Sequence, residues 1–548
     1  MTWMDWTLIV VFLAGIFYAG GYFYKWVGTP DDFYVAGRQI TPFLLAATIT
    51  ATNVNLYSFV GQAGVAYKHG ISILWQTWTG NMALVFSGLF VIPILRRLKV
   101  RTVPEFLELR YNKAVRSLVG ILWIFRLAFW LGVVLYTAVV AAQAITGIQS
   151  FTLWVVVFSV IAVAYTSLGG MWSVALTDAL QFILMLLGAL ILLPLAMKAV
   201  GWMPGLLAQT PPHHLDLVVK DGPYNWQFML AIFILGIEWA SVDQGLMQRA
   251  FGAQDTRTVA KGLVLAGIIT TPFALLWNLP GLAATVLYPH LSNADSAVPT
   301  MIHGLLPPIV LGIVVCGLLA SQMSTIDSNL NGVATLYTND IYASLFNRKS
   351  TQRDILRTVR WMTLVTGLFM IGFSYLVPRL GGAVSAYLTV IAIMDMPLFI
   401  IAIFYGLLWK RASSWGAIGG YLTGALAGGL AKFAYGLDFN KATFISAGAA
   451  LVATPVFSWL SKPVASEKIV RIWKARQISE EEIEKNAVYH IWPKSVGGKM
   501  SLLVLAAGLE FFLAGALMGS RALPAASLVA VSGMLLYFLG GLARLFFD

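Results

Sequence analysis

Hydroxyl and amide side chains are concentrated in one apolar stretch of the chain, residues 317–342, GLLASQMSTIDSNLNGVATLYTNDIY. Successive residues of a helix turn by about 100°, so most of these side chains share one face, and Asp327 lies at its edge, about 60° from Ser324. The face comprises Ser321, Ser324, Thr325, Ser328, Asn331 and Thr335. A hard cation such as sodium prefers oxygens of this kind. Alternatively, Ser and Thr serve helix packing or bond to their own backbone.

A second polar stretch, TITATNVNLYSFVGQAG at 48–64, interrupts another apolar segment. Asn53, Asn55 and the threonines before them point to all sides of a helix, which makes a poor surface toward lipid. We predict that the helix is unwound here, which frees the carbonyls of Ala51 and Val54 to bind a cation. The alternative is an ordinary buried polar patch.

Ionisable side chains inside other apolar segments need partners, because an isolated charge is costly in a membrane. They are Arg126, Asp178, Asp243 and Asp395. We expect Arg126 to pair with an acid, and contact with a substrate anion is the alternative. Asp395 precedes a proline by two residues and is expected at a kink. Asp243 is expected to neutralise Arg249.

The elements that carry these residues are predicted to be membrane-spanning helices. Of the 548 residues, 59% are hydrophobic and 11% charged, whereas soluble domains contain about 25% charged residues. The single Cys excludes a disulfide within the chain and argues against a Cys-built metal site. Segments near or above the roughly 18–20 residues that cross a bilayer number about fifteen, at 7–24, 41–66, 71–95, 117–146, 151–168, 173–197, 226–247, 259–288, 304–340, 359–378, 384–408, 415–434, 442–460, 500–519 and 524–543.

The net charge of +12 is explained by the membrane and not by nucleic acid. With the N terminus outside, most of the 36 Lys and Arg residues fall in loops on the cytoplasmic side, as the positive-inside rule requires. We therefore predict a plasma-membrane protein, or an inner-membrane protein if bacterial, with a cytoplasmic C terminus. The basic charge then faces the inner leaflet, and no nucleic-acid partner is expected.

The spacing of the two polar stretches is natural for an inverted repeat. If spans two to six form one unit and spans seven to eleven another, the stretches fall on the first helix of unit one and the third of unit two. The predicted divisions are an N-terminal extra helix with its loop (1–40), the first repeat (41–200), the second repeat (201–412), two flanking helices (413–461), a cytoplasmic linker (462–499) and two C-terminal extra helices (500–548).

Motifs spread over residues 5–460 resemble the solute:sodium symporter family, whose best-known branch is the sodium/glucose cotransporters. The motifs are DDFYVAGR (31–38), ATNVNLYSFVGQAG (51–64), SLGGMWSVALTDALQ (167–181), DQGLMQRAFGAQD (243–255), ASQMSTIDSNLNGVATLYTNDIY (320–342) and YGLLWKRASSWGAIGG (405–420). The resemblance implies an all-α polytopic protein with the five-plus-five inverted repeat of the leucine-transporter type and extra helices. It implies sodium-coupled secondary active symport and no enzymatic activity.

The resemblance also assigns ion ligands. The family's shared sodium site corresponds to the carbonyls of Ala51 and Val54 and to a carbonyl and two hydroxyls from Ser321, Ser324 and Thr325. A second sodium site of some members corresponds to Asp178 and Ser328, and Asp327 stands where those members have Ser or Thr. One or two sodium ions are therefore expected, with a proton at Asp327 as the alternative to the second sodium.

The substrate residues match the family less closely. The candidates are Asn53, Asn55, Trp75, Gln76, Trp130, Trp239 and Thr389. Asn53 matches an Asn of the sugar carriers, but Trp75 stands at the place of their acidic ligand, with Gln76 beside it. Their Lys and Gln ligands fall on Thr270 and Thr389.

Two of the tryptophans correspond to other functional positions of the family. Trp239 corresponds to an aromatic inner gate, and Trp130 stands at the place of the Arg that grips a carboxylate in sialic-acid carriers, one turn from Arg126. A small polar organic solute is expected, with a sugar or polyol favoured. The alternatives are symport of a carboxylate or amino acid, and a channel or sensor with the same fold. No GxxxxGK[ST] or HExxH motif occurs, which argues against a nucleotide-driven pump and a metalloprotease.

Overall fold

The computed structural model describes residues 1–23, 38–166, 171–346, 351–484 and 487–547. The helices of these ranges are α1 Trp3–Phe23, α2 Pro42–Asn53, α3 Ala63–His69, α4 Leu74–Phe86, α5 Ile92–Arg97, α6 Val103–Arg110, α7 Lys113–Thr146, α8 Phe151–Thr166, α9 Met171–Ala199, α10 Trp202–Gln209, α11 Trp226–Val242, α12 Gln244–Phe251, α13 Thr256–Phe273, α14 Leu275–Leu287, α15 Ala297–Leu305, α16 Val310–Leu336, α17 Gln352–Ser374, α18 Ala383–Phe399, α19 Tyr405–Leu408, α20 Ser414–Gly429, α21 Phe439–Trp459, α22 Ser466–Lys474, α23 Glu480–Glu484, α24 Val496–Gly519 and α25 Ala526–Phe547.

Membrane-spanning length and composition recur among these helices, as the sequence predicts. Within the described ranges, nine helical segments are long and apolar enough to cross a membrane, and the number rises to twelve when each of three bent helix pairs counts as one span. Trp3–Tyr18 and Phe151–Ala164 are shorter apolar helices. The same ranges hold no strand beyond one isolated bridge between Ile40 and Ala253. The all-helical prediction is confirmed.

Two of the bent pairs are the helices that open the two predicted repeats. α2 and the segment Tyr57–His69, which starts with a π-helical turn and ends in α3, meet at 47°. α11 and α12 meet at 48°. The break after α2 was predicted from its polar residues, and the break before α12 was not.

The two C-terminal helices pack against each other along glycines. A Cβ on Gly508, Gly515, Gly533 or Gly540 would overlap the backbone of the facing helix. The pair also touches the rest of the bundle, because the Phe512 ring lies 5.5 Å from that of Trp75 on α4 and 5.6 Å from that of Phe233 on α11. Small residues let membrane helices approach this closely.

The segment before α24, where the sequence analysis expects a linker, contains the two short helices α22 and α23. It is bound to the bundle by Arg97 at the end of α5. That guanidinium pairs with both oxygens of Glu482 at 2.9 Å and also donates to the carbonyl of Tyr489 at 2.6 Å. The linker is therefore fixed to the bundle and does not hang free from it.

Candidate functional site

The break after α2 begins at Val54, which is extended (φ −98°, ψ 108°). Asn55 organises the turn, since its Oδ1 accepts from the Tyr57 N–H at 2.9 Å and its Nδ2 donates to the Thr52 carbonyl at 3.4 Å. These bonds restart the helix in a new direction. Asn55 was predicted as a substrate residue, and both ends of its amide serve the turn.

Helix α16 lies directly against this break. The Thr325 hydroxyl donates to the Thr52 carbonyl at 3.0 Å and is also 3.2 Å from the Ser321 carbonyl. The structure thus brings together two regions that 273 residues separate. A small cation between α16 and the break would take the place of the Thr325 hydroxyl proton as the partner of the Thr52 and Ser321 carbonyl oxygens.

The neighbouring hydroxyls on α16 differ in how they are used. Ser321 donates to the Leu318 carbonyl of its own helix at 2.8 Å. Ser324 Oγ is buried and has no hydrogen-bond partner. A buried hydroxyl without a partner is costly, which fits a ligand that accepts its lone pairs. Ser324 therefore has the strongest indication of a ligand role among the predicted sodium-site side chains.

Ser328 contacts Arg249, a pairing that the sequence analysis did not predict. Arg249, fully buried on α12, donates to the Ser328 hydroxyl and, at 2.8 Å, to the Thr48 hydroxyl of α2. Ser328 in turn donates to the Ser324 carbonyl. A guanidinium on this oxygen competes with a sodium ion for it, so the prediction of Ser328 as an ion ligand is not supported in this arrangement.

Asp327 points away from the break, toward α8. Its Oδ1 accepts from the Thr166 hydroxyl at 2.5 Å, and the residue is 1% exposed. Asp178 lies on α9, a helix that packs against α16. The side chain of Asp178 lies outside the described part of the structure, so its pairing with Asp327 stays a prediction.

A central cavity adjoins the first break. It lies between the two broken helices and reaches α4, α7, α16 and α18. Among its lining residues are Thr52, Asn53, Asn55, Tyr57, Gln76, Arg126, Trp130, Trp239, Asp243, Thr270, Thr325, Asn329, Tyr387 and Asp395.

Two amide groups in this cavity have atoms without partners. Asn53 Nδ2 is an unpartnered donor, and Gln76 Oε1 an unpartnered acceptor. The other end of the Gln76 amide donates to the Tyr57 hydroxyl at 2.8 Å, which fixes its orientation. The cavity thus presents one neutral donor and one neutral acceptor to a solute.

Three aromatic rings form one wall of the cavity. Tyr57 lies 5.2 Å from Trp130 and 5.4 Å from Tyr387, and Trp130 lies 4.8 Å from Tyr387, measured between ring centroids. Next to them, Gly61 on the first broken helix leaves room for Ala383, because a Cβ there would lie 3.1 Å from that of Ala383. The wall therefore joins the first broken helix to α7 and α18.

Arg126 pairs with two of the three acids that the sequence analysis placed inside other apolar segments. Its Nη2 is 2.7 Å from Asp395 Oδ2, and its Nη1 is 2.9 Å from Asp243 Oδ2. Asp243 also caps α12 by accepting from the Leu246 N–H at 3.1 Å. Asp243 thus has Arg126 as a partner, whereas the sequence analysis expected it to neutralise Arg249.

Several predicted substrate residues line the cavity, whereas others pack elsewhere. Asn53, Gln76, Trp130 and Trp239 belong to the first group. Trp75 is fully buried against Trp78 and Phe512, and its Nε1 donates to the Leu217 carbonyl at 2.8 Å. This position separates the Trp75 ring from the cavity.

Thr389 also lies off the cavity wall. Its hydroxyl donates to the Ser385 carbonyl at 2.8 Å, and it sits two residues after Tyr387, which places it on a different face of α18. Thr270 does line the cavity, and its hydroxyl is 3.2 Å from that of Thr50.

Among the buried acids that the sequence analysis missed, one lies on α11 beside the cavity-lining Trp239. Glu238 precedes Trp239 on α11, is 0% exposed, and has no hydrogen-bond partner on either carboxylate oxygen. The signal was present in ILGIEWAS, where a single acid stands in an apolar run with no basic residue within a turn.

The chain is similar in sequence to known sodium-coupled transporters. The Sodium:solute symporter family profile matches residues 33–424. A sodium/glucose cotransporter of Vibrio parahaemolyticus is 27% identical over 423 residues, which cover 71% of this chain and 77% of the relative. A sodium/pantothenate symporter of Haemophilus influenzae is 26% identical over 451 residues, covering 76% and 88% of the two chains.

Solved structures show the same fold at low sequence identity. A substrate-bound, outward-open sodium-coupled sialic acid symporter superimposes with a TM-score of 0.75 and 20% identity, covering 85% of this chain and 99% of the other. Mhp1, a nucleobase-cation-symport-1 family transporter, in a closed conformation gives a TM-score of 0.52 at 17% identity, covering 81% and 99%. Because the family profile spans most of the chain, the protein belongs to the sodium:solute symporter family.

Proposed function

We propose that this sodium-coupled solute symporter carries a neutral polyhydroxylated solute, a sugar or polyol. The observation that carries the proposal is the pair of unpartnered amide atoms, Asn53 Nδ2 and Gln76 Oε1, in a cavity with aromatic walls. A site that leaves neutral donors and acceptors unpaired favours a solute whose hydroxyls pair with both. The relatives transport different solutes, sugar in one case and pantothenate in another, so the family alone does not select between them.

The sodium ion is proposed to bind where α16 meets the first break. Its ligands are the carbonyls of Ala51, Val54 and Ser321 and the hydroxyls of Ser324 and Thr325. Support comes from the contact of Thr325 with the Thr52 carbonyl and from the unpartnered Ser324 hydroxyl. Bound sodium would fix the break against α16 and so shape the adjoining cavity for the solute.

A second coupling ion is proposed near Asp327, with Asp178 as the other acid. The support is a buried carboxylate one turn from Ser324 on a helix that packs against α9. Two ionised carboxylates repel strongly in a low-dielectric interior unless a cation or a proton lies between them. Sodium is favoured over a proton at this place.

Symport of a carboxylate is the second candidate, and the position of Arg126 argues against it. The guanidinium already contacts two carboxylates, at 2.7 and 2.9 Å. An incoming anion would have to displace one of them and leave that acid buried and unpaired, at a cost of several kcal/mol. The cavity is therefore better suited to a neutral solute than to an anion.

The proposed cycle follows from these placements. Sodium binding stabilises the state open to the outside, the solute then closes the outer path, and sodium release to the cytoplasm opens the inner path. Trp239 covers the solute from the cytoplasmic side. The protein would act in the plasma membrane, or the inner membrane of a bacterium, with its N terminus outside.

A thermal-shift screen of the purified protein tests the solute. Sugars, polyols, amino acids and carboxylates are each added with sodium or with potassium in its place. We expect sugars or polyols to raise the melting temperature, and only with sodium. Gln76→Ala should weaken the shift, whereas Thr389→Ala, which lies off the cavity wall, should leave it unchanged. A carboxylate that stabilises the protein through Arg126 would overturn the proposal.

A further inference from the structure

Glu238 is the buried acid for which the proposed transport cycle has no use. It lies on α11, 0% exposed, with both carboxylate oxygens unpartnered. An ionised carboxylate in that position would lack every hydrogen bond that water gives it, which the membrane interior does not tolerate. Nothing in the proposed sodium or solute sites requires an acid at this place.

The charges around Glu238 make ionisation still less favourable. Asp395, Arg126 and Asp243 all act on it electrostatically. Arg126 already contacts both aspartates, so the two negative charges exceed the one positive charge before Glu238 is counted. An ionised Glu238 would bring a third negative charge to a single guanidinium.

Among the described elements packed on α11, the other cations are engaged or exposed. Arg249 on α12 donates to the Thr48 and Ser328 hydroxyls and to the Gly245 carbonyl, and Lys499 on α24 is exposed. α4 has no ionisable side chain. Tyr421 on α20 is buried with an unpartnered hydroxyl, and Tyr387 on α18 lies 6.0 Å from the Arg126 guanidinium carbon. The Lys441 ammonium, on α21, pairs with Asp438, and Glu510 on α24 is exposed.

We infer that Glu238 is a proton-binding site. Its carboxyl holds one proton in the arrangement described and releases it as H⁺ when Arg126 moves away from Asp395 and toward Glu238. Glu238 then pairs with the guanidinium, and Asp395, which has lost its counter-ion, takes up a proton, so the number of ion pairs and of bound protons is conserved.

The consequence for transport rests on the proposed function, but the protonation does not. Asp395 lies on α18 and Asp243 at the second break, so a proton that decides which acid holds Arg126 would also bias these elements relative to each other. Sodium-driven transport would then depend on pH through a residue far along the chain from the sodium ligands.

Infrared spectroscopy of the purified protein tests the protonation without any solute. A protonated carboxylic acid gives a C=O band that shifts in deuterated water. At neutral pH we expect wild type to show one such band that Glu238→Gln lacks. Glu510→Gln, which removes an exposed acid from another apolar helix, should retain it. Identical wild-type and Glu238→Gln spectra in this region would overturn the inference.

A second arm uses radioactive sodium exchange in proteoliposomes. We expect the wild-type exchange rate to change with pH across the neutral range and the Glu238→Gln rate to be flat. Glu238→Gln keeps the shape of the protonated acid, so it should fold with an unchanged melting temperature at neutral pH. A melting temperature well below that of wild type would show that Glu238 is ionised and paired, which contradicts the inference. Absence of sodium exchange in wild type would count against the proposed function while leaving the infrared result intact.

Discussion

The two broken helices bend by nearly the same angle, 47° and 48°. The backbone groups exposed at the two breaks, however, have partners of opposite kinds. At the first break, a neutral amide from Asn55 and the Thr325 hydroxyl bind the exposed backbone. At the second, the carboxylate of Asp243 caps the new helix and Arg126 neutralises that carboxylate. Neutral oxygens leave room for a small cation, whereas a charged cap with its own counter-ion does not. The comparison suggests that ion binding belongs to the first break and that the second holds the bundle together.

The largest effect is expected from Ser324→Ala combined with Thr325→Ala, which removes the proposed side-chain ligands at the first break. Each contact to a charged group is worth about 1.5–3 kcal/mol, so sodium affinity should fall by on the order of a hundredfold or more. Sodium-driven uptake in proteoliposomes should be abolished while the protein stays folded. Thr363→Ala on α17, whose hydroxyl bonds only to its own helix, is the control. If the double variant kept the sodium dependence of wild type, the proposed sodium site at the first break would be wrong.

Loss of the charged pairs at the second break should lower the free energy of unfolding. Arg126→Ala leaves Asp243 and Asp395 buried without their counter-ion, and breaking a buried pair costs about 3–5 kcal/mol. The measurement is the free energy of unfolding in detergent. Adding Asp243→Asn and Asp395→Asn to Arg126→Ala should restore part of the loss. If Arg126→Ala were as stable as wild type, the guanidinium would be available to a substrate and the contrast between the breaks would fail.

A third prediction concerns the second half of the first broken helix, where a Cβ on Gly64 would lie 3.0 Å from the Asp295 Cα. Burial raises the pKa of Asp295 to about 6, against hydrogen bonds from the Ala383 N–H and the Tyr136 hydroxyl. The folded protein then keeps a proton that the unfolded chain releases, so the free energy of unfolding falls as the pH rises from about 4 to about 6. The change should total about 3 kcal/mol.

Asp295→Asn should abolish this pH dependence and melt higher than wild type at neutral pH. Thermal unfolding at a series of pH values measures both effects. An unchanged slope between the two pH values would show that Asp295 is not the group responsible.

Asp327→Asn tests whether α16 contributes to the binding of one ion or of two. If a second sodium ion binds near Asp327, the Hill coefficient for sodium in uptake should fall toward one, with little change in pH dependence. A flattened pH profile with an unchanged Hill coefficient would assign a proton to this acid. A variant equal to wild type in both measurements would make Asp327 a structural partner of Thr166.

The smallest effect is expected at Trp239, one turn before the second break. Trp239→Ala should raise solute leak relative to sodium-coupled accumulation by roughly twofold, because one side of the gate is lost. Trp239→Phe keeps a ring there and should behave as wild type. Unchanged coupling and affinity in Trp239→Ala would mean that the indole only packs.

Local composition made the first break and the α16 face predictable, because polar residues in an apolar run have few structural explanations. The second break could not be read in this way, since VDQGLMQRAF continues a helical pattern and Asp243 acts as a cap only when the chain turns. The partners of Arg126 lie 117 and 269 residues away, and no local rule pairs them. Trp75 and Thr389 were predicted to contact the substrate because they correspond in position to substrate residues of the family. Their side chains lie off the cavity, because correspondence in position does not determine which way a side chain points.

The glycines of the last two helices bear on how the chain assembles. Gly508 and Gly515 on α24, like Gly533 and Gly540 on α25, are seven residues apart, so each pair recurs on one face of its helix. Such a hairpin can close in the bilayer as soon as it is made, without help from earlier helices. Until it docks, the faces of α4 and α11 that contact Phe512 are open to lipid. We expect this hairpin to dock onto α4 and α11 as a preformed unit, and a variant truncated before α24 to expose Trp75 to acyl chains.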